Sequence, residues 1–267
     1  MLHYRKYYIE KHKPWVTFIH GAGGSSTIWH KQVKEYRKHF NVLLIDLRGH
    51  GKSKNTKWKE NDTFEEIAEE VINVLDQEGI NKSHFVGISL GSIIIQTIAY
   101  KHNERINTML LGGAVTELNI RCRVLLLGAH LVKHIIPFIW LYRLFAWIMM
   151  PRHHHRTARC TFVKEASKME QQEFLRWFSL TKNVRPYLNT LQKDFHDIPT
   201  LFVVGEEDYL FMEAVEDIVL LRSNTVGLAS IENAGHLCNL DKPEEFNEIG
   251  IDFIYRNSEV VSPVMIS

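Results

Sequence analysis

The chain has 267 residues, 45% hydrophobic and 24% charged, with a net charge of +1 at pH 7. This is the composition of a globular α/β domain, large enough to carry one sizeable insertion. Near-neutrality argues against general nucleic-acid binding. The opening MLHYRKYYIEKHKPW has no apolar stretch of the kind a signal peptide needs. Three scattered cysteines, Cys122, Cys160 and Cys238, do not make a disulfide framework, so a reducing cytoplasm is the expected compartment.

In chain order, the first strong element is WVTFIH (Trp15–His20), a continuous apolar run of strand type. FNVLLID (Phe40–Asp46) is a second. Thr63–Gln77 has Phe64, Ile67, Ala68, Val71, Val74 and Leu75 at helical spacing, with Thr63 and Glu66 set for a capping box. HFVGI (His84–Ile88) is a third strand, and Ser89–His102 reads as the helix after it. INTMLLGG (Ile106–Gly113), TLFVVG (Thr200–Gly205) and TVGLASI (Thr225–Ile231) complete the strands, and Pro243–Arg256 is a closing helix. Continuous apolar strands alternating with helices predict a doubly wound, mostly parallel sheet covered on both faces.

The alternation breaks after Gly113, where about eighty residues of helical character precede the next strand. One crossover does not need that length. The expected organisation is a core of residues 1–113 and 197–267, with a helical cap inserted over 114–196, between Ala114 and His196. From Leu118 to Lys164 there are eight Lys/Arg and no Asp or Glu, which leaves the remainder with 24 basic and 31 acidic residues. The same stretch is the most apolar of the chain. Lys133, Pro137 and Arg143 interrupt it, so it predicts buried or interfacial helices and not a membrane span. The tail VVSPVMIS is expected to be loose or a small surface addition.

Five motifs lie at strand ends. In GISLG (Gly87–Gly91) a serine follows a buried strand and opens a helix. Glycine two residues to either side lets the backbone reverse tightly and neighbouring strands come close. Ser89 is then held in a strained conformation with its hydroxyl clear of the sheet edge, above the free N–H groups of a helix start. HGAGG (His20–Gly24) can bend around an oxygen atom, so the N–H groups of Ala22 and Leu90 are the expected oxyanion donors. A phosphate loop is the competing reading, but neither G-x-G-x-x-G nor a lysine-bearing P-loop follows. DLRGHGKS (Asp46–Ser53) supplies turns and polar anchors near the same edge. VVGEEDYLF (Val203–Phe211) puts three acids past a strand end, and ENAGHLCNLDKPEEF (Glu232–Phe246) puts His236 between the last strand and the last helix.

With these motifs in this order, the chain resembles the α/β-hydrolase fold family, in its cap-bearing esterase, lipase and peptidase group, from about Trp15 to Tyr255. The resemblance implies the triad order nucleophile, acid, histidine. It makes Ser89 the nucleophile, Asp208 the acid and His236 the base. Glu206 and Glu207 are adjacent acids, and Glu117 follows the earlier strand where some hydrolases carry theirs.

The implied reaction is hydrolysis of a carboxylic ester, acyl or lipid-like, through an acyl-enzyme, without cofactor or metal. A thioesterase, a lactonase, a carbon–carbon bond hydrolase or a lyase like the menaquinone-pathway enzyme would use the same triad. A binding protein that kept the fold without catalysis is the alternative of another class, although no damage to the triad is visible. PRHHHR (Pro151–Arg156) is expected to be a solvated basic surface, since three consecutive histidines on a helix face three ways. The aromatics Phe138, Trp140, Tyr142, Phe145 and Trp147 are either cap core or the wall of an acyl pocket. A basic, apolar cap also implies weak, salt-sensitive contact with an anionic membrane surface. The oligomeric state is not written in the sequence.

Overall fold

A computed structural model describes residues 1–54, 58–59, 62–193, 197–222 and 225–258. The strands are β1 (Tyr4–Tyr7), β2 (Trp15–Ile19), β3 (Asn41–Ile45), β4 (Ser83–Ile88), β5 (Ile106–Gly112), β6 (Thr200–Gly205) and β7 (Val226–Ile231). They form one sheet in the order β1-β3-β2-β4-β5-β6-β7, parallel throughout except for β1, which runs antiparallel to β3. β1 was not visible beforehand. It is a four-residue edge strand, YRKY, none of whose residues is fully buried. The helices are α1 (His30–Tyr36), α2 (Phe64–Gln77), α3 (Leu90–Lys101), α4 (Ile120–Val132), α5 (Phe138–Met149), α6 (Arg156–Ala166), α7 (Gln171–Leu180), α8 (Val184–Lys193), α9 (Met212–Leu221), the short α10 (Cys238–Asp241) and α11 (Pro243–Ser258).

The central strands alternate their side chains between two cores. On β3, Leu43 and Ile45 join one cluster with α2 and α3, while Val42 and Leu44 join the other with α1 and α11. This is the period-2 geometry of a strand buried on both faces. Helix α2 starts at the capping box anticipated for it, with Thr63 and Glu66 each serving the other's backbone N–H.

Five helices, α4 to α8, fill the stretch between β5 and β6. Leu118, Cys122, Trp177, Val184 and Leu188 from this stretch join the α2–α3 core, and Ala146, Met150 and Ala158 join the α1–α11 core. A third cluster, with Ala129, Leu141, Tyr142, Phe174 and Phe178, belongs to these helices alone. Polar ties reinforce the seam. Trp177 Nε1–H donates to the Arg48 carbonyl at 2.8 Å, Trp58 Nε1–H to Glu173 at 2.6 Å and the Ser25 hydroxyl to Glu165 at 2.9 Å. His196, the expected end of the insertion, and the tail from Val260 lie outside the described residues.

The tightest backbone approach is at the start of α3. A Cβ on Gly91 would stand 2.2 Å from the Ile19 carbonyl oxygen of β2, and one on Gly87 would stand 2.9 Å from the Gly91 backbone. Only glycine lets the helix start pack directly on the neighbouring strand. Gly91→Ala is therefore expected to destabilise the fold by about 1–3 kcal/mol, the usual cost of overpacking. Denaturant unfolding measures it, and an unchanged midpoint would contradict the packing described.

Candidate functional site

The site lies where β4, β6 and β7 end. β4 turns into α3 through one residue, Ser89, whose φ of 53° and ψ of −117° are strained for an L-amino acid. Its N–H donates to the Gly112 carbonyl at 3.0 Å, and its own carbonyl accepts the Ser92 hydroxyl at 2.6 Å. Strand β5 on one side and the first turn of α3 on the other thus hold it. The side chain is half-buried at the cavity wall.

His236 follows β7 and is buried, and Asp208 follows β6 and is fully buried. His236 Nε2 stands 2.9 Å from Ser89 Oγ, and His236 Nδ1 stands 2.8 Å from Asp208 Oδ2. A carboxylate can only accept, so the imidazole proton belongs on Nδ1, and the Nε2 lone pair is turned toward the serine. The Phe211 ring covers the imidazole, with ring centroids 5.0 Å apart. The alternative acids are elsewhere. Glu117 and Glu206 are exposed, and Glu207 faces two other histidines.

Ala22 and Leu90 border the same cavity as Ser89. The loop carrying Ala22 is fastened by the DLRGHGKS segment. His50 Nε2 accepts the Gly23 N–H at 2.9 Å, and Asp46 Oδ1 accepts the Ser26 N–H at 2.7 Å. His20 Nε2 accepts the Leu47 N–H at 3.0 Å, which puts its proton on Nδ1, facing the Gly21 carbonyl at 2.8 Å. His50, whose Nδ1 faces the Arg48 carbonyl at 2.9 Å, has the same tautomer. The sequence marks polar anchors here, but the loop they hold is set by hydrogen bonds between residues 27 and 20 positions apart.

The cavity has a volume of about 230 Å³ and an almost wholly apolar wall. The body contributes Ile93 and Phe211, and the β5–β6 helices contribute Leu126, Tyr142, Phe145 and Phe178 among others. The aromatic set divides three ways. Tyr142 and Phe145 line the cavity, Phe138 packs in the helices' own core, and Trp140 and Trp147 are exposed.

One expectation is corrected. PRHHHR is not a solvated basic surface throughout, because His155 is completely buried. Residues 152–155 form bends and turns, and α6 begins only at Arg156. The 100° fanning of helical side chains does not apply, and the His154 and His155 rings both meet Glu207.

Residues 18–249 match the model of the alpha/beta hydrolase family, and the chain belongs to that family. Among curated proteins it is similar to 3-oxoadipate enol-lactonase 1 of Acinetobacter baylyi, 24% identical over 90% of this chain and 88% of that one. It is equally similar to carboxylesterase YbfK of Bacillus subtilis, 24% identical over 91% of this chain and 81% of that one. Among solved structures, a carboxylesterase of the thaumarchaeon Nitrososphaera gargenis superposes with a TM-score of 0.79 at 17% identity, covering 97% of this chain and 96% of that one.

The histidines that brace the site loops make it acid-sensitive. Burial pushes His20 below its ordinary 6.5, and burial together with the neighbouring His20 pushes His50 down to about 3. Burial likewise takes His84, on β4, to about 4. In the unfolded chain these groups take up protons near pH 6.5, and in the folded chain they do not. Stability is therefore complete above that value and falls as pH drops below it. Each such histidine contributes a slope of up to about 1.4 kcal/mol per pH unit. Melting temperature measured from pH 7.5 to 4.5 should fall below pH 6.5, and His50→Gln, which keeps an acceptor for Gly23, should flatten the decline.

Proposed function

We propose that this member of the alpha/beta hydrolase family is a serine hydrolase that cleaves carboxylic esters with medium or long acyl groups. The observation that carries the proposal is the row Asp208–His236–Ser89, with separations of 2.8 and 2.9 Å. A serine hydroxyl is a weak nucleophile until a base takes its proton. His236 Nε2 takes it as Oγ attacks the carbonyl, and Asp208 stabilises the imidazolium that forms. The N–H groups of Ala22 and Leu90 hold the tetrahedral oxyanion, the second of them at the start of α3. His236 then protonates the leaving alcohol, and a water molecule activated by the same imidazole releases the acid. The apolar cavity accepts the acyl chain, and the β5–β6 helices act as its cap. A thioester or a lactone suits the same geometry, and the likeness to an enol-lactonase puts cyclic esters on the list of substrates to screen.

Ser89→Ala should lower ester turnover by a factor on the order of 10⁴ or more with the fold retained, and Asp208→Asn by about 10⁴ through a misoriented imidazole. Glu117→Gln should leave turnover near normal. Rates on p-nitrophenyl esters, with circular dichroism of each variant, make the comparison. Near-normal turnover by folded Ser89→Ala would end the proposal, and a damaging Glu117→Gln beside a mild Asp208→Asn would move the acid to the other strand.

The outer faces of α4 and α5 support a peripheral membrane contact. No helix among the described residues is long and apolar enough to cross a membrane. Yet Ile120, Val124, Leu127 and Leu131 make an exposed stripe along α4, the last at 73% exposure. Trp140, Leu144 and Trp147 make another along α5, and Ile135 between the helices is 81% exposed. Their opposite faces line the cavity through Leu125, Leu126, Tyr142 and Phe145. Arg121, Arg123 and Arg143 are exposed beside the stripes, and no acid lies between Leu118 and Lys164. Apolar helices with cationic margins fit an anionic lipid surface, each cation there contributing about 1 kcal/mol. The protein should co-sediment with vesicles containing phosphatidylserine at low salt and less at high salt, Leu131→Glu with Trp140→Glu should abolish it, and octanoate esters should outrun acetate. No binding at low salt, together with fastest turnover on acetate, would overturn both the lipid contact and the long-acyl preference.

A further inference from the structure

Beside the triad, and not used by it, is a second constellation of ligand-bearing side chains. His154 Nε2 stands 2.8 Å from Glu207 Oε2, and His155 Nε2 stands 2.9 Å from the same oxygen. The potential ligand atoms of His154, His155 and Glu207 all lie within 4.8 Å of one another. Asp241 Oδ2 is 4.0 Å from His155 Nε2, with its side chain almost fully buried. The three segments involved are far apart in the chain: the turn before α6, the loop after β6 and the short α10.

Hydrogen bonding accounts for only part of this cluster, since His154 Nε2–H donates to Glu207 Oε2 at 2.8 Å but the buried groups beside it are left over. His155 is fully buried, and among the described residues neither of its ring nitrogens has a hydrogen-bond partner. Its Nε2 is near Glu207 Oε2, but the N–H axis misses the oxygen, so the contact fails as a hydrogen bond. Asp241 Oδ1 is also buried and unpartnered. Buried polar groups of native proteins are normally satisfied, and each exception calls for an explanation. Here two imidazole nitrogens and one carboxylate oxygen lie within 4.8 Å of one another, and a second carboxylate oxygen lies 4.0 Å from the buried imidazole.

We propose that His154, His155 and Glu207, with Asp241 as the nearest fourth donor, bind one divalent transition-metal ion. Imidazole and carboxylate together suit zinc in a four-coordinate site. Zinc bonds of about 2.0–2.2 Å put tetrahedral donors roughly 3.4 Å apart, so the two Glu207 contacts need to open by about half an ångström. The exposed edge at His154 provides the entry path.

The position gives the ion a structural purpose. Glu207 precedes Asp208. Asp241 accepts the Gly235 N–H at 2.9 Å, and Gly235 precedes His236. His154 and His155 lead into α6. A metal held here would lock the β5–β6 helices to the loops carrying both Asp208 and His236. None of its ligands touches the cavity around Ser89, so the ion positions and does not react.

The test is zinc binding by the full chain, stripped with a chelator, loaded with zinc sulfate and desalted. Elemental analysis should find one zinc per chain, and competition with a chromophoric chelator gives the affinity. Ser89→Ala should keep that zinc, which separates this proposal from the esterase chemistry. The exposed neighbour His153→Ala should keep it too. Glu207→Gln and His155→Ala should each weaken binding by at least a factor of about 10–100. Zinc should raise the melting temperature of the parent protein but not of Glu207→Gln. Because His155 is buried, Glu207→Gln, at a partly exposed position, decides the matter should His155→Ala fail to fold. A stripped protein that retains less than about a tenth of an equivalent of zinc, or one whose zinc Glu207→Gln leaves unchanged, would overturn the site.

Discussion

The site depends on a reversal made in one residue. β4 ends at Ile88 and α3 begins at Leu90, so Ser89 alone must turn the chain. It does so at positive φ, a conformation that costs an L-residue on the order of 1–3 kcal/mol. The surroundings impose that cost. The Ser89 N–H is held by β5, and the first turn of α3 is pressed against β2 by the glycine contact at Ile19. Two hydrophobic cores, one on each face of the sheet, keep both elements in place. A loop of ordinary length would relieve the strain, but it would lower the hydroxyl into the chain and carry the Leu90 N–H away from it.

The same economy governs the partners of Ser89. Asp208 and His236 sit on loops after β6 and β7, and parallel strands deliver all their carboxyl ends to one edge. Burial then sets the roles. Asp208 is enclosed, His236 is covered by Phe211, and Ser89 alone keeps an open side toward the cavity. Neutral histidines fasten the Ala22 loop, so its backbone is held in place by the fold itself. Preorganised dipoles in an apolar cavity act more strongly on developing charge than the same groups in water, because little reorganisation accompanies the reaction.

Much of this was legible because the strong signals were local. Apolar runs, most of them continuous, mark six of the seven strands among the described residues, and Gly87-x-Ser89-x-Gly91 marks the reversal. The capping box at Thr63 fixed the start of α2. What escaped notice had either a weak pattern or a long-range cause. β1 is a polar edge strand whose pairing with β3 supplies its order. The role of His50 rests on a hydrogen bond to a residue 27 positions earlier. The contacts of His154 and His155 are not legible from spacing, because side chains fan three ways on a helix and the chain forms a turn there. Asp208 could be separated from Glu206 and Glu207 only by the family resemblance, since adjacent acids look alike until the fold turns one inward.

The β5–β6 helices pose the remaining physical question, because α4 and α5 are apolar on both sides. A helix at the surface of a globular protein ordinarily keeps charge on its outer face. Here the inner faces are needed for the cavity, and the outer faces carry isoleucine, leucine and tryptophan as well. Stacked cations screen part of this surface. Arg143 lies 5.3 Å over the Trp140 ring, and Arg159 lies 4.4 Å over that of Trp147. Such contacts contribute about 0.5–1 kcal/mol at exposed sites and leave the leucine and isoleucine stripe of α4 uncovered. Burying apolar area contributes about 25 cal/mol per Å², so two bare helical faces forgo that gain on folding and would recover it on contact with an apolar surface. Under the proposed function, a lipid-like ester reaches Ser89 past the α4–α5 pair, whose inner faces line the cavity. A thin wall that is apolar on both sides presents no polar layer for an acyl chain to cross, and this is the physical sense in which the outer surface and the inner cavity form a single device.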